Sequence, residues 1–209
     1  MAQAHGRRIR EWACCVFIGI SLDGFIARTD GDLAWLTDPP VRAHQASGTD
    51  YPAQVWETFY PSVDAIVMGR ETYDTVMGFD SWPFEHKDVI VLSSTMAETD
   101  RVHVARSLAE VDELLHELGT HRAYIDGGRT IQSFLAAGWV DEITVSIVPI
   151  LIGCGRRLFG DLDHDVELTL QGHHSTPDDG LVRITYAVTS SAQAAAERPA
   201  KPAAPSSRR

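Results

Sequence analysis

The sequence predicts an α/β sandwich with a mostly parallel sheet and an antiparallel edge. Three observations carry that reading. Apolar, β-rich runs at 13–21, 64–68, 88–92, 102–104 and 123–125 alternate with stretches of helical periodicity. Two of these runs pass through glycine straight into a helix, at Gly69 and at Gly127–Gly128. The chain then closes on three β-rich runs, 143–151, 165–172 and 181–189, with no helix between them. Strands joined that way are most simply antiparallel.

Composition narrows the class. The 209 residues suffice for one good-sized core, and 44% hydrophobic with 22% charged is ordinary for a globular protein. A formal net charge of −11 argues against broad nucleic-acid binding and against an anionic membrane surface. A small anionic ligand stays open, because a local basic pocket can sit in an acidic protein. Cys14, Cys15 and Cys154 show no CxxC spacing, so neither a metal site nor a disulfide framework is expected. Reduced thiols fit a cytoplasmic setting. No apolar run approaches the roughly 18 residues of a membrane-spanning helix. Residues 1–12 read as a flexible N-terminus without a signal-peptide pattern, 13–189 as the folded domain and 190–209, rich in Ala, Pro and Ser, as a disordered tail.

The elements follow in order. Residues 13–21, ACCVFIGIS, form an apolar run bounded by Asp23–Gly24, which favours a buried strand. Phe25, Ile26 and Ala27 are apolar and could lie over a ligand. Trp35–Leu36 precede a break at Asp38–Pro39–Pro40, and 41–50 carry no pattern. Residues 51–60 place Val55, Trp56 and Phe59 on one side of a short amphipathic helix before Pro61. The strand 64–68, DAIVM, runs into Gly69–Arg70–Glu71–Thr72, where a helix start, a cation and a hydroxyl would together attract an anion. The strand 88–92, DVIVL, is followed by Ser93–Ser94, able to bind phosphate or to cap a turn. Ser107 with Glu110 reads as a capping box for a helix whose stripe is Leu108, Val111, Leu114, Leu115 and Leu118, ended by Gly119.

The organising stretch is 122–138, RAYIDGGRTIQSFLAAG. A strand turns through Gly127–Gly128 into a helix with Ile131, Phe134 and Leu135 on its apolar face. Such a turn offers free N–H groups and the positive end of a helix dipole, a ready phosphate site, although glycines that only supply positive φ would look the same. All three candidate anion contacts fall just beyond strand ends, where open α/β sheets bind ligands.

The segments SLDGFIA (21–27), VMGRETY (67–73), VLSS (91–94), YIDGGRTIQSFL (124–135) and DEITVSIVPILIGCGRRLF (141–159), in that order, resemble the dihydrofolate-reductase-like superfamily, in particular its branch related to the C-terminal reductase domain of riboflavin biosynthesis. The resemblance covers roughly 13–189. It implies a three-layer fold, a sheet of about eight strands with helices on both faces, and NADPH-dependent hydride transfer to a small heterocyclic or carbonyl substrate. It implies cofactor contacts at Ile18, Gly19, Ile26, Ala27, Gly69, Arg70, Thr72, Ser93, Ser94, Gly127, Gly128, Arg129, Thr130 and Ile131, and it leaves a cis Gly127–Gly128 bond open. Arg70 and Thr72 would meet the 2′-phosphate and the pyrophosphate.

Candidate catalytic residues are Asp23, Trp35 and Glu57. Asp23 is weighed against a turn-anchoring role, and Trp35 against the core. The first-helix carboxylate of dihydrofolate reductases falls near Ala53–Gln54 here, and the Asp-Pro-x-Leu-Thr-type segment of the riboflavin-pathway enzymes is replaced by TVMGFDSWPFEHK. Those departures leave the substrate open and keep a second expectation alive, a nucleotide-binding module without turnover. The run IVPILIG suggests a homodimer through exposed apolar surface.

Overall fold

The computed structural model describes residues 10–37, 53–163, 165–175 and 180–189. The expected break at 38–40, the loop at 41–50, Asp178–Asp179 of the late turn, residues 1–9 and the 190–209 tail lie outside the described residues.

One eight-stranded sheet organises the chain, in the order β5-β4-β3-β6-β1-β7-β10-β9. Strands β1 (Ala13–Ser21), β3 (Ala65–Gly69), β4 (Asp88–Leu92), β5 (His103–Ala105), β6 (Arg122–Asp126) and β7 (Glu142–Val148) run parallel. Strands β10 (Val182–Thr189) and β9 (Glu167–Ser175) add the antiparallel edge. The pleat sends alternate side chains to opposite faces. Cys14, Val16, Val67, Ile90 and Ile125 join one core with Val111 and Leu115 of α4 (Leu108–Glu117) and Ile131, Phe134 and Leu135 of α5 (Gly128–Ala136). Cys15, Ile66, Met68, Val91 and Tyr124 join the other with Phe59 of α2 (Trp56–Ser62) and Tyr73 and Val76 of α3 (Arg70–Met77). Near-continuous burial of both faces is why these strands read as unbroken apolar runs.

Local signals hold well on α4. The Ser107 Oγ accepts the Glu110 N–H at 3.2 Å, while the Glu110 carboxylate reaches back to the Arg106 N–H at 2.8 Å. Gly119 takes φ +65°, and the Thr120 N–H closes onto the Leu115 carbonyl at 2.9 Å, a glycine C-terminal cap.

Five expectations are corrected. The helix placed at 51–60 runs from Trp56 to Ser62 instead: Val55 is its extended N-cap, and Pro61 falls in the last turn, where its missing N–H leaves few bonds to break. The strand placed at 143–151 stops at Val148, because Pro149 cannot donate and the Ile150 N–H turns back to the Val148 carbonyl. Only Ile147 and Val148 of IVPILIG therefore belong to the strand; Leu151 beyond it is exposed, as are Leu168 and Leu170 of the edge strand β9 among other large apolar side chains. Order begins before Ala13: Trp12 is buried against Phe134 and Trp139 and donates its indole N–H to Asp112 at 2.8 Å. The Gly127–Gly128 peptide is trans. Finally, three short elements had no sequence signature: α1 (Ala34–Thr37) and a two-stranded ribbon of β2 (Phe25–Ala27) with β8 (Arg156–Arg157).

Candidate active site

The carboxyl ends of β1, β3, β4 and β6 share one rim, since all are parallel. Strands β1 and β6 pair only at Ala13↔Arg122, Cys14↔Ala123 and Cys15↔Tyr124. Beyond that, β1 stays with β7 to Ser21↔Val148, and β6 stays with β3 to Met68↔Asp126. The two central strands thus part toward the rim, and the gap is where a ligand enters such a sheet.

Two glycine junctions meet beside the gap. Gly69 is the N-cap of α3 and Gly127 that of α5; neither helix has a side-chain cap, whereas α4 is capped by Ser107. A Cβ on Gly127 would lie 2.3 Å from the Thr72 Oγ1, and one on Gly69 would lie 2.8 Å from the Thr130 Oγ1. Gly127 also needs φ +89°. The glycines therefore let two helix starts approach each other, with two threonine hydroxyls between them. Paired, uncapped helix N-termini present N–H donors and like-signed dipoles to one point, which fits a phosphate group.

The ribbon roofs this point. A Cβ on Gly128 would lie 2.5 Å from the Ile26 Cδ1 and 3.3 Å from the Arg157 carbonyl. Gln132 of α5 donates to the Arg157 and Leu158 carbonyls, both at 3.1 Å, and the Leu158 N–H bonds the Gly24 carbonyl. Asp23 anchors the base of the ribbon: it accepts from the Ser21 hydroxyl at 2.6 Å, the Gly153 N–H at 2.8 Å and the Ile152 N–H at 3.3 Å. Those bonds, the Ser21 hydroxyl foremost, hold its carboxyl below its ordinary pKa. This is the turn-anchoring role weighed for Asp23, and a carboxyl so held is a poor proton source.

Of the remaining candidates, Arg70 is exposed at the start of α3 and pairs with Asp74 at 2.7 Å; Arg129 is exposed on α5; Ile131 is buried in the core. Ile18 lies on β1 and Ala27 on the ribbon. The Ser93 hydroxyl accepts the Thr95 and Met96 N–H groups and so shapes its turn, while Ser94 is exposed. Glu57 is exposed on the first turn of α2, and among the described residues it makes no hydrogen bond or ion pair.

Trp35 is buried in α1, whose Leu36 rests on Gly19: a Cβ there would meet Leu36 at 2.6 Å. Gly19 pairs in register with Ser146, which shares its face of the sheet. The Ser146 Oγ and the Trp35 Nε1 are both buried, with no hydrogen-bond partner among the described residues. Buried polar atoms of that kind are costly unless something binds them.

Sequence reasoning missed Asp126. It ends β6 at the gap, accepts the Gly127 N–H at 2.8 Å, and lies two residues from Tyr124 on the same face. Burial raises its pKa above the usual carboxylate range, offset in part by the Gly127 N–H and by Tyr124. The Gly127 contribution is the firmer of the two, because the Tyr124 hydroxyl donates to the Phe17 carbonyl at 3.0 Å. The signal was present as an acid closing an apolar strand, but that pattern also marks an ordinary strand end.

A family model described as the RibD C-terminal domain matches residues 14–182. A solved structure of a putative riboflavin biosynthesis protein from Shewanella sp. PV-4 is 36% identical, with a TM-score of 0.72 over 85% of this chain and 99% of that one. The uncharacterised protein YwjB of Bacillus subtilis (strain 168) is 26% identical over 162 residues, 75% of this chain and 88% of the relative. Dihydrofolate reductase from Enterococcus faecalis, solved with NADP(H), shares the fold at a TM-score of 0.60 and 15% identity, over 86% of this chain and 97% of that one.

Proposed function

The chain belongs to the RibD C-terminal domain family, and on that premise we propose that it is an NADPH-dependent reductase of a small pyrimidine- or pteridine-like heterocycle. The observation that carries the reading is the meeting of two uncapped helix starts at Gly69 and Gly127, beside the gap between β1 and β6. That cradle suits the pyrophosphate of a dinucleotide, and the exposed Arg70 beside it suits a 2′-phosphate. A bound nicotinamide would supply the hydride; the protein supplies position and electrostatics.

This chain's residues divide the remaining work. Ile26 and the ribbon close over the start of α5 and exclude water there. The face carrying Gly19 and Ser146, under Trp35 and Leu36, takes the heterocycle, with the Ser146 hydroxyl and the Trp35 indole N–H available to its polar edge. Reduction of a C=N or C=O group consumes one proton. Asp126, whose raised pKa keeps a proton longer than an ordinary carboxyl, holds that proton at the gap.

Titration with NADPH and NADH tests the cofactor. In an Arg70→Ala variant the lost charge-assisted contact, about 1.5–3 kcal/mol, corresponds to roughly tenfold to hundredfold weaker NADPH binding, while NADH changes little. Equal losses for both would remove Arg70 from the 2′-phosphate. The solvent-facing Glu57 favours a second reading, a nucleotide-binding module without turnover. Steady NADPH consumption with any heterocycle in a substrate panel excludes it.

A further inference from the structure

Arginine is concentrated at this rim in a chain of net charge −11: Arg70, Arg129, Arg156 and Arg157 all stand around the two helix starts. Arg157 is occupied, its guanidinium 4.5 Å from the centre of the Phe25 ring. Arg156 is placed differently. Its backbone pairs with Ala27 in the ribbon that roofs Gly128. Its side chain leaves the roof and reaches the Glu71 carboxylate on the first turn of α3 at 2.7 Å. The Arg156 side chain therefore links the ribbon that roofs the start of α5 to the first turn of α3.

We propose that Arg156 is a phosphate-binding residue of the dinucleotide groove and that Glu71 holds its place in the free protein. This rests on the cofactor reading above and adds a residue and a partner exchange to it. Both side chains of the pair are about half exposed, 47% and 62%, and an ion pair so exposed is weak. A pyrophosphate arriving between two helix dipoles offers more acceptor oxygens and more charge than one carboxylate. The guanidinium exchanges Glu71 for phosphate, and Glu71 is left as a like charge beside the ligand. That arrangement strengthens the closed groove and keeps a repulsive element that speeds release.

The rival role is a tether, in which the pair only fastens the ribbon to α3. The two roles differ in sign. If Arg156 binds phosphate, removing it weakens the cofactor and removing Glu71 tightens it. If the pair is a tether, the two removals act alike. The experiment is a fluorescence titration of NADPH and NADH against the full chain, Arg156→Gln, Glu71→Gln, the double variant and Arg156→Lys, with thermal melts to confirm folding. The expected result is about tenfold weaker binding of both dinucleotides for Arg156→Gln and about threefold tighter binding for Glu71→Gln. The Glu71 effect should shrink in the double variant, and Arg156→Lys should recover part of the loss. Same-sign effects, or no effect of either single change, overturn the proposal. Those outcomes leave the cofactor reading intact as long as the unaltered protein binds NADPH; if it binds neither dinucleotide, both readings fail together.

Discussion

Two carboxylates at the rim show what environment does to one chemical group. Asp23 and Asp126 sit at the ends of neighbouring parallel strands, yet their pKa values move in opposite directions. Asp23 accepts a hydroxyl and two N–H groups, so its charged form is favoured and its folded pKa falls. Its contribution to stability is complete above the unfolded carboxyl pKa, about 3.9, and is lost as pH falls through the lower folded value. Asp126 is the reverse case. Burial favours its neutral form, so its contribution is complete below the unfolded value and is lost as pH rises through the raised one. If Asp126 delivers the proton, kcat/KM should fall on the alkaline side of that raised pKa. An Asp126→Asn variant should lose about 10²–10⁴-fold in rate and lose that limb of the profile. A variant that is slower but keeps the same alkaline limb would move the proton elsewhere. Sequence reasoning could weigh a turn role for Asp23, since Asp-Gly is common turn chemistry, but it passed over Asp126 because desolvation is a property of the packed fold, invisible in a string of letters.

At the scale of elements, legibility followed length and burial. The long central strands and α4 announced themselves through apolar runs and a capping pair, because many residues share one environment there. The ribbon was silent. Its strands have three and two residues, and both residues of β8 are exposed arginines with no alternation to read. What holds it is contact at single atoms. Gly155 packs so closely that a Cβ there would lie 2.2 Å from the Ala27 carbonyl oxygen. A Gly155→Ala change must push that backbone aside, at a cost of order 1–3 kcal/mol. The cost should be local, because the ribbon lies outside the main sheet. Hydrogen exchange should therefore quicken at residues 25–27 and 156–158 while β1 and β6 keep their protection, and dinucleotide binding should weaken together with it. Unchanged exchange in the ribbon would mean that its seat is set elsewhere, by Asp23 and Gln132.

At the scale of the whole molecule, the rim is the consequence of topology. Six parallel strands put every strand-to-helix turn on one edge, so residues from Ile18 to Arg157, far apart in the chain, surround one gap. This much was legible, because the alternation of strands and helices fixes it before any side chain is placed. The partner of each side chain was not, since Thr72 against Gly127 and Thr130 against Gly69 arise only when two turns are packed together. A ligand held by so many elements should stabilise the cooperative unit as a whole. At a hundred times its dissociation constant, NADPH should add about 2.7 kcal/mol. For a domain of this size that is a rise in Tm of roughly 5–10 °C. The protection it confers in hydrogen exchange should extend through β1, β3 and β6, because none of them can open without releasing the ligand. Protection confined to residues 127–131 would mean that the dinucleotide touches a single helix start, and the convergence of the two glycine junctions would then be packing alone.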